Sequence, residues 1–82
     1  MMNIELYKRV VINRDIPESK LYAGDVAWLL DFVPHPSDGE EGCVLEIFNA
    51  LGDSIAVVVV PRSTLSPLQP DQVMSVRTLQ KA

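Results

Sequence analysis

The chain has 82 residues, 48% hydrophobic and 22% charged, with 7 basic against 11 acidic residues and a formal net charge of −4. That length holds one domain with one core, burying roughly 60–65% of its unfolded surface, and the apolar share argues against disorder. The negative balance argues against nucleic acid and anionic membranes as partners, because both need clustered cations and Lys8, Arg9, Arg14, Lys20, Arg62, Arg77 and Lys81 are scattered.

In chain order, residues 6–12 read as a first strand with Val10 and Ile12 on one face. Residues 13–20 break the pattern. Pro17 cannot donate to a ladder and the polar residues suit a long ordered loop, with Ile16 and Leu21 folding inward to pin it. Gly24-Asp25 then opens the main strand, residues 26–33, around which the other segments are arranged. Period-two alternation puts Val26, Trp28, Leu30 and Phe32 on one face and Ala27, Leu29 and Asp31 on the other. Asp31 marks the second face as outward, so the first is expected to be buried.

Residues 34–42 hold two prolines, two glycines and three acids and form an exposed connector. The next strand, 43–49, carries Cys43, Leu45 and Ile47 inward and Val44, Glu46 and Phe48 outward. A hairpin turn at 49–53 places Gly52 at the positive-φ position. Residues 54–60 form the following strand, with Ala56, Val58 and Val60 inward. Pro61 stops it, and residues 62–68 hold a single 3₁₀ turn and a short strand with Leu65 buried. Past Gln69-Pro70-Asp71, residues 73–79 read either as one more strand or as a short helix that Asp71 caps. The expected fold is therefore mostly β: a small, partly open barrel of about five strands over residues 1–68, with a C-terminal arm over 69–82.

The single cysteine excludes an internal disulfide and any cysteine-rich metal site. Nothing at the start resembles a signal peptide, and the longest apolar run, 55–61, is far too short to span a bilayer. A soluble cytoplasmic protein is expected.

The order of pieces resembles the SH3-like barrel. More narrowly, it resembles an uncharacterised bacterial family catalogued as domain of unknown function 4926. The likeness rests on Arg14-Asp15-Ile16-Pro17-Glu18, on Leu21 with Gly24-Asp25-Val26 and Leu30, on Leu65-Ser66-Pro67-Leu68, and on Pro70-Asp71-Gln72-Val73 with Val76-Arg77. The chain departs from that family at Ala27-Trp28, where small residues such as Gly-Thr are usual, and in a longer 34–42 connector. Members are often small stand-alone proteins, some encoded beside toxins. The resemblance thus implies a partner-binding or neutralising role and names no catalytic residue.

The residues themselves point away from catalysis. His35 has the right pKa range for acid–base work, but the sequence sets no orienting partner or nucleophile beside it. Asp38, Glu40 and Glu41 match no calcium-loop spacing and read as a solvated acidic loop, or as charge that steers a basic partner. Cys43 reads as a small buried hydrophobe, with acids and no cation beside it to lower its pKa. Ser63, Thr64 and Ser66 lie in no nucleophile elbow and read as turn formers. No metal, cofactor or small-molecule substrate is expected.

The strongest functional signal is a surplus of apolar residues on outward positions: Leu29, Val44, Phe48, Ile55, Val57 and Val59; Trp28, expected in the core, is with Tyr22 the candidate for an aromatic peptide groove of the SH3 kind. Such patches usually mark protein interfaces. Self-association, a different protein partner, or coverage by Val73, Met74, Val76 and Leu79 of the arm would each account for it. The sequence thus points to a non-enzymatic protein-interaction module, with an accessory subunit that docks a larger complex through the acidic loop as the alternative.

Overall fold

The hydrophobic spacing yields five antiparallel strands in one sheet. In the computed structural model, which describes residues 4–34 and 39–78, these are β1 (Arg9–Ile12), β2 (Val26–Val33), β3 (Gly42–Phe48), β4 (Ser54–Pro61) and β5 (Leu65–Pro67). Their order is β4-β3-β2-β1-β5, a partly open barrel in which β4 and β5 are the two edges. The first strand is shorter than alternation predicts. Tyr7 takes a left-handed φ of 61° and turns the chain just before β1, while its amide still reaches the Leu29 carbonyl at 2.6 Å.

The main departure from the sequence reading lies inside β2. Trp28 pairs with Glu46 and Leu29 with Leu45, but the next pairs are Asp31 with Val44 and Phe32 with Cys43. Leu30 is therefore the extra residue of a β-bulge, and the side-chain phase is reset across it. Ahead of the bulge Ala27 and Leu29 face the core and Trp28 faces out. Past it Phe32 packs on the core and Asp31 faces out. The expected burial of Trp28 and the expected exposure of Leu29 are both corrected: Trp28 is 39% exposed and Leu29 0%. Val26 and Leu30, also expected inside, are half-buried. Asp31 stabilises the irregularity, its Oδ1 accepting the Phe32 amide at 2.8 Å. The acid that marked the outward face thus also marks where alternation breaks.

The other strands keep the expected phase. Cys43, Leu45, Ile47 and Val60 are buried with Val10, Ile12 and Leu65, and Ala56 and Val58 pack against them. The 13–25 loop is ordered from within. Ile16 and Leu21 are buried and exchange backbone hydrogen bonds at 2.8 and 3.2 Å around a 3₁₀ turn over Pro17–Ser19. Asp15 Oδ1 accepts the Ala23 amide at 2.9 Å. Asn49 Oδ1 gathers the amides of Leu51 and Asp53, both at 2.9 Å, and Gly52 takes φ 90°, so the β3–β4 hairpin closes as its composition predicts. A second 3₁₀ turn, Arg62–Thr64, leads into β5. Buried Thr64 satisfies its hydroxyl on the Pro61 carbonyl at 2.6 Å.

The arm realises neither reading made for it. Residues 70–71 form a turn and residues 72–78 take no regular structure; Leu79 lies outside the described residues, as do His35 and Asp38. Instead of pairing or capping, the arm is tied by one side chain. Arg77 bonds both carboxylate oxygens of Asp25, with Nε to Oδ1 at 2.7 Å, and donates to the Lys20 carbonyl at 3.0 Å. Its guanidinium also lies 5.0 Å from the centre of the Tyr22 ring.

Candidate protein-docking surface

The outward face of the β2–β3–β4 meander is set by register. One row runs Arg9, Trp28, Glu46, Val57 across four strands, and the next runs Asp31, Val44, Val59. Phe48 and Ile55 extend the apolar side of the face toward the hairpin, where a second bulge lets Phe48 pair with Ser54 and leaves Ile55 as the extra residue. Over Gly42, the absence of a side chain lets Val33 and Val59 close on the same face; a Cβ there would stand 3.0 Å from Val33 Cγ2 and 3.1 Å from Val59 Cγ1.

Val57 and Val59 are 60% and 58% exposed, and Ile55, Trp28 and Phe48 are also open to solvent, whereas Val44 is half-buried. Together the exposed parts of Ile55, Val57, Val59, Phe48 and Trp28 amount to on the order of 400 Å², the size of patch that is often functional on a monomer. Among the described residues the arm, through Thr78, does not cover it. Val73, Met74 and Val76 are themselves exposed, and the arm's anchor, Arg77, sits on the 20–25 loop. Of the expected patch, then, only Leu29 is withdrawn, for the reason the bulge supplies.

The strip is apolar on β4 and acidic further in. Glu46 lies between Trp28 and Val57, and Asp31 is next to Val44. Of the remaining acids of the expected site, the two that are described, Glu40 and Glu41, are already engaged. Glu40 accepts the Ser63 amide and hydroxyl, each at 2.9 Å, and these bonds hold its pKa below the usual value. Glu41 pairs with Arg62 at 2.8 Å, and the Arg62 guanidinium lies 4.8 Å from the centre of the Phe32 ring. These groups fasten the connector to the 3₁₀ turn instead of presenting free charge.

The backbone of β4 adds a second feature that alternation alone did not reveal. The Arg62 amide donates to the Glu41 carbonyl at 3.0 Å, continuing the register that pairs Val60 with Cys43 and Val58 with Leu45. Bonded and non-bonded pairs alternate in an antiparallel ladder, so Arg62, Val60, Val58 and Ala56 turn their amides and carbonyls to β3. Val57 and Val59 turn theirs to the open edge. Pro61 shares that phase and has no N–H to lose there, which is why a proline is tolerated in this strand.

Among the described residues no three His, Cys, Asp or Glu side chains gather as a metal site would require. Two shallow depressions of about 280 and 370 Å³ lie away from the strip, around Leu65 and around Pro67. The first contains Ser63, whose hydroxyl is held by Glu40 and approached by Arg14 Nη2 at 3.4 Å, an anchoring arrangement. Burial pushes the Cys43 thiol up, against a smaller opposing pull from Arg62, and Glu41 and Glu40 push it further. At Asp25, burial raises the carboxyl and the bonds from Arg77 and the Tyr22 amide more than offset it, leaving its pKa below the usual value; the same contact raises Arg77. Sequence reasoning missed this clasp. Its only signal was Arg77 as the one charge between Asp71 and Lys81. Comparison with protein-family models, curated proteins and solved structures finds no match.

Proposed function

We propose that this is a non-enzymatic protein-interaction module that docks another polypeptide through the outer face of its β3–β4 hairpin, acting in the cytoplasm as a neutralising partner of a toxin-like protein. The observation that carries this reading is the exposed strip of Ile55, Val57, Val59 and Phe48, which the described residues of the arm, 69–78, leave open. A small domain that keeps such surface in contact with water forgoes roughly 25 cal/mol for each Å² left unburied, so the strip suits a surface that a partner shelters. Glu46 and Asp31 at its inner margin favour a partner whose apolar ridge is bordered by Lys or Arg. The resemblance to the family of unknown function, with members encoded beside toxins, supports the neutralising role. Docking through the acidic connector is the weaker reading, because Glu40 and Glu41 are already bonded to Ser63 and Arg62.

The test is a double variant, Phe48→Glu with Val57→Glu. Both side chains are exposed, so circular dichroism should stay native while binding to the captured partner disappears. A double variant that unfolds, or one that retains the wild-type partner, refutes the docking face.

A further inference from the structure

Resting on the docking reading above, we infer that the open edge of β4 pairs antiparallel with the β4 of a second copy of this chain, about a two-fold axis at Val58. Four features of the strand fit this occupant. Among the described residues nothing bonds the outward amides and carbonyls of Val57 and Val59, the two residues between the hairpin bulge and Pro61 whose backbone faces the edge. Setting Val57 of each copy against Val59 of the other closes two bonded pairs, and a strand that meets its own copy satisfies the phase requirement by symmetry.

The side chains are self-complementary as well. Each strand presents Ile55, Val57 and Val59 above the sheet and Ala56 and Val58 below, so a strand added here needs apolar residues on both faces, and β4 is such a strand. Its ends set no like charges against each other. Antiparallel pairing about Val58 places Asp53 of one strand beside Ser63 of the other, and Ser54 beside Arg62. Finally, the usual guards are missing: residues 54–60 contain no charge and no proline, and the one proline stands at the end of the strand, in the outward phase where it merely stops the ladder. A paired edge of this length buries on the order of 1,000 Å² or less in total, the low end for specific interfaces, so a weak dimer is expected, with a dissociation constant in the micromolar range or above.

Sedimentation velocity of the full chain from about 5 µM to about 1 mM tests this, since that range spans micromolar dissociation constants. The wild type should pass from monomer to dimer, and Val57→Lys with Val59→Lys should stay monomeric with native circular dichroism. Amide exchange on the wild type supplies an edge-specific readout that needs no variant: the Val57 and Val59 amides should slow as concentration rises, while those of Val58 and Val60, already bonded to β3, should not change. Phe48→Glu, one strand in from the edge, should leave the dimer intact. A wild type that stays monomeric at about 1 mM overturns the pairing. So does a dimer that survives both lysines, or one that leaves the two amides unprotected. A monomeric wild type that still loses a captured partner on Phe48→Glu alone would remove the dimer and leave the docking face standing.

Discussion

Replacing Leu29 by alanine is the sharpest test of the β2 bulge, because simple alternation and the observed register predict opposite results. On alternation Leu29 is a surface residue and its truncation costs little. In the structure it is 0% exposed, paired with buried Leu45, and its backbone is held by Lys8 and Tyr7. Truncation to alanine removes the isopropyl group, losing the transfer energy of three carbons and leaving a cavity beside Leu45, together about 3–4 kcal/mol. For a domain of this size the total stability is about 4–12 kcal/mol, so roughly a quarter or more of it is at stake. With a urea slope near 1 kcal/mol per M, the unfolding midpoint should fall by about 3 M. Trp28→Thr is the control: it keeps a β-favouring residue and loses mainly a cross-strand contact with Glu46, worth about 1 kcal/mol. Urea melts followed by far-ultraviolet circular dichroism compare the two variants directly. If Trp28→Thr costs as much as Leu29→Ala, or more, the phase reset at Leu30 is wrong.

The remaining predictions concern the arm and the thiol. Asp25 has its pKa depressed in the folded chain, so the clasp with Arg77 contributes fully above the ordinary carboxylate value of about 4 and is lost as pH falls below it. Limited proteolysis of the arm should accelerate below about pH 4 in the wild type, and Arg77→Ala should show that acceleration already at neutral pH; an arm equally resistant in both would refute the clasp. Cys43 is buried with a raised pKa, so an aromatic disulfide reagent should label it at pH 8 only at the rate of unfolding, and rapid labelling of the native protein would contradict its placement.

The strands whose alternation is unbroken were legible in the residues. In β3, polar Glu46 between Leu45 and Ile47 leaves one assignment of faces, and the structure has it. The 13–25 loop and the β3–β4 hairpin were equally legible, because Ile16, Leu21, Asn49 and Gly52 act over a few residues. The β2 phase was not. Its run from Val26 to Val33 contains one polar residue, Asp31, and extending parity backward from it assumes a regular strand. Whether one residue is extra depends on how Leu45 and Val44 of another strand meet it, which no local pattern encodes.

Two parts of the surface were settled only in three dimensions, for the same reason. Arg77 finds Asp25 across 52 residues of chain, and the arm that composition offered as a cover for the hairpin is held on the 20–25 loop instead. The outward backbone of Val57 and Val59 follows from the place of β4 at the end of the sheet order. Composition and periodicity determined a small β domain with surplus apolar surface, because those depend on which residues lie close along the chain. Where that surplus ended up was a matter of strand neighbours and register, which are contacts between residues far apart in sequence.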